Sequence, residues 1–85
     1  MSYRIEFIPS AARAFKKLDQ SIQERLRLKI DALTSNPRPH GIEKLTGTDN
    51  RYRIRMGDYR IIYVIQDNAR LVVIAVIAHR REVYR

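Results

Sequence analysis

Two alternating segments joined by a Gly-Asp pair constrain the fold of this chain more than any other feature. Arginine alternates with apolar residues over positions 51–56, and apolar residues recur at every second position of 59–65. A period of two is typical of a β-strand with one apolar and one polar face. The intervening Gly57 and Asp58 predict a two-residue hairpin turn, which sets Arg55 opposite Arg60.

A third strand is predicted from the continuously apolar segment 71–78, which is typical of a strand in the interior of a sheet. If residues 67–69 form a three-residue turn, Arg60 lies opposite Val76 and Arg80 comes near residue 56. With that register, four arginines share one face of the sheet: Arg53, Arg55, Arg60 and Arg80.

Like charges directly opposite each other on a sheet face destabilise the sheet by up to about 1 kcal/mol. A sequence that keeps several such arginines despite this cost indicates that they have a function. The sequence predicts no Asp or Glu on this face. A group of arginines without acidic neighbours is typical of a surface that binds phosphate. If the charges served only to keep the protein soluble, pairs of opposite charge would be sufficient. The simpler alternative is a face whose charges only prevent aggregation.

The first 50 residues predict a strand, two helices and a connecting segment. Residues 3–8 alternate as a strand does, and a helix is predicted from an N-cap at Ser10 through Leu18. A capping-box pattern at 21–24 begins a second amphipathic helix, and the segment 36–50 contains the prolines and glycines of a connection. The fold class is therefore α+β, with two N-terminal helices packed on a small antiparallel sheet.

Composition limits the kind of protein this is. The chain has 85 residues, which we interpret as a single domain over residues 1–85, and its 17 Lys and Arg against 9 Asp and Glu give a net charge of +8. That excess favours an anionic partner. The sequence has no cysteine, no metal-ligand cluster and no long apolar run, so we expect no metal, no cofactor, no membrane span and a cytoplasmic location.

Three segments of the chain resemble the RelE/ParE superfamily of toxin–antitoxin toxins, and RelE in particular: residues 45–47, 52–63 and 76–84. The most specific parts are the Asp-Tyr-Arg-Ile-Ile-Tyr strand and the His-Arg-Arg-Glu-Val-Tyr ending, and the resemblance extends over essentially the whole chain. It implies a RelE-like fold similar to microbial ribonucleases. It also implies a metal-independent endoribonuclease that cuts mRNA in the ribosomal A site, where the RNA's own 2′-hydroxyl attacks the adjacent phosphate.

The resemblance assigns catalytic roles to five residues of this chain: Arg53, Arg55, Arg60, Arg80 and Tyr84. Arg60 would hold the scissile phosphate, Arg80 would face the leaving oxygen, and Tyr84 would orient the nucleotide. Arg51 and Arg81, with Arg53 and Arg55, are predicted to bind RNA.

The general base is not identified by the sequence. RelE proteins often have lysine where this chain has Arg53 and Arg55, and arginine stays protonated near neutral pH. His79 has the ordinary pKa of a base, although alternation directs it away from Arg80. Either the ribosome or the substrate supplies proton transfer, or a group such as His79 does so.

The resemblance also implies a cognate antitoxin and a toxin–antitoxin hetero-oligomer. We expect this antitoxin to be acidic, with a segment that lies across the basic surface or a sheet edge. Two alternatives to the nuclease remain, namely a ParE-like inhibitor of DNA gyrase and a nucleic-acid-binding toxin homologue without catalysis. The complete set of arginines and the tyrosine favours the nuclease.

Overall fold

The computed structural model describes residues 2–47, 50–79 and 81 of the chain. These residues form two helices and five strands in the following order: β1 (Arg4–Phe7), α1 (Pro9–Lys16), α2 (Gln20–Ala32), β2 (Glu43–Lys44), β3 (Arg51–Met56), β4 (Tyr59–Gln66) and β5 (Leu71–His79). The strands make one sheet in the order β1-β5-β4-β3-β2. The predicted α+β fold, with two N-terminal helices packed on a small sheet, is confirmed.

The sheet is mixed, where the sequence predicts an antiparallel one. Strands β2 to β5 are antiparallel to their neighbours, whereas β1 pairs in parallel with β5. A parallel pair needs a long crossover, and here both helices and three strands lie between the two partners. Strand β5 is consequently covered by a strand on each side along its first half, as its continuous apolar sequence predicts.

The β3–β4 hairpin has the predicted register, with Arg55 opposite Arg60. Gly57 has a φ of 59°, the left-handed conformation that a two-residue hairpin turn requires. The β4–β5 register differs from the prediction, because Gln66 pairs with Leu71 and Ala78, not Val76, lies opposite Arg60.

Two local features account for that difference in register. The turn between β4 and β5 has four residues, 67–70, and not three. Farther along, Tyr63 pairs with Ile74 and Ile62 with Val76, so Ala75 is the extra residue of a β-bulge. Neither feature leaves a pattern in a strand as uniformly apolar as β5. The longer turn shifts the pairing of residues 71–74 by one position, so Val72 and Ile74 lie in the core and not on the face of Arg60, where the predicted register puts them. Beyond the bulge the shift is two positions, which keeps Ala78 on the predicted face.

The core lies between the helices and one face of the sheet. The prediction of amphipathic helices is confirmed, since each helix buries apolar residues on the side that faces the sheet: Ala11 of α1, Leu26 and Ile30 of α2, and Leu33 directly after α2. Full burial of one such leucine contributes about 1.5–3 kcal/mol. Among the described residues, neither helix is long and apolar enough to cross a membrane.

The predicted serine caps are wrong at both helices. Helix α1 begins at Pro9 with Ile8 at the N-cap, and α2 has Asp19 at its N-cap, with no side-chain capping bond at either end. Proline suits the first helical position because its missing N–H would have no partner there. The junction is instead joined by Gln23, whose side-chain amide donates to the carbonyl oxygens of Phe15 at 2.9 Å and Leu18 at 3.1 Å.

The connecting segment is held to the sheet by buried and charged contacts that the sequence does not reveal. Tyr63 donates its hydroxyl to the buried Pro37 carbonyl at 2.8 Å. Arg38 makes a two-donor contact with Asp67, at 3.1 and 2.8 Å, and the Tyr3 hydroxyl donates to the same carboxylate at 2.7 Å. The start of the chain, the connection and the β4–β5 turn therefore meet at Asp67.

We expect the contribution of Asp67 to stability to disappear in acid. Hydrogen bonds from Arg38 and then Tyr3 lower the pKa of Asp67 from 3.8 to about 2. A pKa that is lower in the folded state stabilises the fold above the unfolded value and loses that effect as the pH falls toward the folded value. The melting temperatures of the native chain and Asp67→Asn should thus differ most above pH 5 and converge between pH 4 and pH 2.

Circular dichroism melts at pH 2 to 7 would measure this convergence. Asp31→Asn is the matched control, because it removes the same charge from the exposed side of α2. A difference between the native chain and Asp67→Asn that stays constant over the whole pH range would contradict the prediction.

Candidate nucleic-acid interface

Strands β3 and β4 bring the hairpin arginines to one face of the sheet. Arg55 lies opposite Arg60, and Arg53 lies opposite Ile62. Directly paired residues of antiparallel strands point to the same face, so these arginines share the face turned away from the helices. The alternate positions Tyr52 and Ile54 are buried in the core. We call Arg53, Arg55 and Arg60 the arginine face, and the predicted grouping of these three residues is confirmed.

The three side chains lie at different depths. The side chain of Arg55 is 55% exposed and that of Arg53 is 18% exposed, whereas Arg60 as a whole is only 6% exposed. An anion that approaches this surface therefore meets Arg55 first and Arg60 last. A buried guanidinium acts through a lower local dielectric, so its charge is felt more strongly than that of an exposed one.

Glu43 is the functional candidate that sequence reasoning missed. Strand β2 pairs with β3 so that Glu43 lies opposite Arg53. Arg53 Nη2 donates to Glu43 Oε2 at 2.9 Å, and Arg55 Nη2 lies 3.7 Å from Oε1. The hydrogen bond from Arg53, followed by the positive charges of Arg53, Arg55 and Arg60, lowers the pKa of Glu43.

The expectation that this face has no acidic residue is thus wrong. Strand β2 contains only Glu43 and Lys44 and lies within a segment that also contains prolines and glycines. Two residues are too few to show alternation, so no sequence pattern indicates that Glu43 joins the sheet. Pairing to β3 alone brings its carboxylate to the arginine face.

The arginine face has the chemistry of an oxyanion site. Guanidinium groups present several N–H donors in a fixed plane and bind carboxylate or phosphate oxygens in the same way. Arg53 Nε is buried and makes no hydrogen bond within the described part of the chain. Among the same residues, no group of three His, Asp or Glu could hold a metal ion.

His79 lies on the other side of the sheet. It pairs with Tyr59, whose ring it meets edge to face at 5.3 Å between centroids, and its Nε2 lies 4.0 Å from Asp58. Together with Arg13 of α1 and Lys17 directly after that helix, it lines a cavity of about 530 Å³. The structure therefore does not bring this candidate base to the arginine face, which agrees with the direction that alternation predicts.

Two further arginines that are predicted to bind RNA, Arg51 and Arg81, are both exposed. Arg51 begins β3, is exposed, and lies two positions from Arg53 on the same face. Arg81 is exposed, and its backbone N–H donates to His79 Nδ1 at 3.3 Å. Arg80 and Tyr84 lie outside the described residues, so their roles stay predictions.

Comparison with known proteins assigns the chain to a family. Residues 5–84 match the family model described as ParE toxin of type II toxin–antitoxin system, parDE. The chain is 30% identical over 88 aligned positions to the RelE1 toxin protein of Methanocaldococcus jannaschii, which covers 100% of this chain and 98% of that protein. It is 29% identical to the mRNA interferase toxin RelE of Escherichia coli K12, over 96% of this chain and 86% of that protein.

The fold is also similar to a solved relative. The crystal structure of the archaeal RelE–RelB complex from Pyrococcus horikoshii OT3 contains a chain that aligns with a TM-score of 0.84 and 29% identity, over 94% of this chain and 97% of that one. The sequence comparisons and the fold comparison therefore agree. The chain belongs to the ParE toxin family of type II toxin–antitoxin systems, within the RelE/ParE superfamily.

Proposed function

We propose that this chain is the toxin of a type II toxin–antitoxin system and acts as an mRNA interferase, an endoribonuclease that cuts mRNA in the ribosomal A site and inhibits translation. The observation that carries the proposal is the arginine face, where the side chains of Arg53 and Arg55 both approach one carboxylate and Arg60 is buried on the same face. A phosphate of RNA has the same kind of oxygens. The relative from Escherichia coli that is named an mRNA interferase supports this choice of substrate.

The proposed reaction needs positive charge around the scissile phosphate. The 2′-hydroxyl oxygen forms a bond to phosphorus, the bond from phosphorus to the 5′-oxygen breaks, and negative charge increases on the phosphate oxygens. Arg53 and Arg55 would bind the RNA strand, and the buried Arg60 would stabilise the negative charge on the phosphate oxygens. We further propose that Arg80 faces the leaving 5′-oxygen, where its positive charge stabilises that oxygen until it takes up a proton from water, and that Tyr84 orients the nucleotide.

The arginines that stabilise charge do not serve as the general base. Arginine does not give up its proton near neutral pH, so Arg53 and Arg55 act electrostatically. His79 is on the helix side of the sheet and pairs with Tyr59. We therefore propose that the ribosome or the RNA itself accepts the proton of the 2′-hydroxyl. If the ribosome supplies this base, cleavage depends on the ribosome.

The partner of this toxin is a cognate antitoxin, as RelB is the partner of RelE in the Pyrococcus horikoshii complex. With a net charge of +8 on the toxin, an acidic antitoxin segment is favoured by charge complementarity. We propose that this segment covers the arginine face and so blocks access of RNA. Activity on ribosomes also requires a cytoplasmic location.

A translation assay tests the proposal. Purified ribosomes, a defined mRNA and the toxin freed of antitoxin should give cleavage within the A-site codon, detected by primer extension, and no cleavage when ribosomes are left out. The ParE description of the matching family favours a second candidate, inhibition of DNA gyrase. Intact mRNA together with inhibited DNA supercoiling would replace the nuclease by that candidate, and the absence of both effects would leave a binding function without catalysis.

A further inference from the structure

We propose that Glu43 is an internal counter-ion of the arginine face: its carboxylate occupies the position of an RNA phosphate and must leave when RNA binds. The inference rests on the proposed function, because it describes how access to the same face is controlled. It makes Glu43 a residue that lowers the affinity of the free toxin for RNA.

The contacts of Glu43 are those expected of a bound oxyanion. Its two carboxylate oxygens approach two different guanidinium groups, at 2.9 Å from Arg53 and 3.7 Å from Arg55. Two non-bridging oxygens of a phosphate would use the same donors. The carboxylate and a phosphate therefore compete for one set of N–H groups, and both cannot use them at once.

The carboxylate can leave without a change in the sheet. The side chain of Glu43 is 54% exposed, whereas that of its partner Arg53 is 18% exposed. Rotation of the glutamate into solvent therefore leaves the arginines in place. Because Glu43 is tethered beside them by β2, it competes at a high effective concentration even though a single exposed ion pair is weak.

A second role for Glu43 makes the opposite prediction. If the carboxylate served to position Arg53, its removal would disorder the guanidinium and weaken RNA binding. Glu43→Gln separates the two roles, since the amide oxygen can still accept the hydrogen bond from Arg53 but carries no charge. Glu43→Ala removes the acceptor as well, and should bind RNA less tightly than Glu43→Gln only if positioning matters.

The experiment measures binding of the full chain to a single-stranded 2′-O-methyl RNA of ten nucleotides by fluorescence anisotropy. Blocking the 2′-oxygen prevents cleavage, so affinity is read alone. We expect Glu43→Gln to bind about fivefold more tightly than the native chain at about 50 mM salt, and the gain to shrink as salt screens the charges. Glu24→Gln is the matched control, because it removes the same charge from the exposed side of α2.

The outcomes separate this inference from the proposed function. Equal affinities for Glu43→Gln and Glu24→Gln, or weaker binding by Glu43→Gln, would overturn the counter-ion role. Arg53→Gln tests the face itself: if it weakens binding while Glu43→Gln has no effect, only the counter-ion role fails. If Arg53→Gln also binds as the native chain does, the arginine face is not the RNA site, and the proposed function loses its main support.

Discussion

Replacing Arg60 by alanine is expected to slow A-site mRNA cleavage by about 10²- to 10³-fold, the usual cost of losing one donor that stabilises charge in a transition state. Arg60 is 6% exposed, so its charge lies in a surrounding that screens it less than water does. Single-turnover cleavage with ribosomes in excess would measure the chemical step without interference from product release.

The control for this variant removes the same charge elsewhere. Arg25 lies on the exposed side of α2, and Arg25→Ala should cleave within about twofold of the native rate, as surface substitutions generally have small effects. Because Arg60 is buried, thermal melts must show that Arg60→Ala is folded at the assay temperature. Arg60→Lys should recover part of the rate, since lysine keeps the charge but not the planar set of donors. A folded Arg60→Ala with the native rate would refute the assigned role.

Replacing Leu26 by alanine is expected to lower the free energy of unfolding by about 3 kcal/mol, the middle of the range for large-to-small changes in a core. Leu26 is 0% exposed and belongs to the cluster between α2 and the sheet. Small domains have a total stability of only about 5–15 kcal/mol, so this loss is a large share. Urea denaturation followed by circular dichroism would measure it.

Leu28 provides the matched control on the same helix. It is 73% exposed, so Leu28→Ala should change the free energy of unfolding by less than about 0.5 kcal/mol. Both variants replace a leucine of α2 by alanine, so the change in helix propensity is the same and only the burial of the replaced side chain differs. Similar losses of stability for the two variants would mean that α2 does not pack on the sheet through Leu26.

Much of the fold follows from local patterns in the chain. Alternation and the Gly-Asp turn suffice for the β3–β4 hairpin, including the pairing of Arg55 with Arg60. Spacing of apolar residues suffices for both helices and for the faces they bury, as Leu26 and Ile30 show. The predicted N-caps at Ser10 and Ser21 are wrong because both helices begin earlier. Helix α1 begins at Pro9, and the N-cap of α2 is Asp19, two residues before Ser21.

Part of the candidate site was also predictable from sequence. The shared face of Arg53, Arg55 and Arg60 follows from the alternation of the two strands and the length of the turn between them. These are local features, since the three arginines lie within eight residues of the chain. His79 was expected to point away from that face, and it does. The grouping of Arg80 with this face, and the roles of Arg80 and Tyr84, stay predictions, because both residues lie outside the described part of the chain.

The sequence by itself therefore determined the hairpin, the helical faces and the arginines that point away from the core, since each depends on neighbours in the chain. Only the tertiary structure decided the parallel pairing of β1 with β5, the bulge at Ala75 and the contact of Glu43 with the arginine face. These depend on which distant segments meet, and a two-residue strand or a uniformly apolar one carries too little pattern to specify its partner.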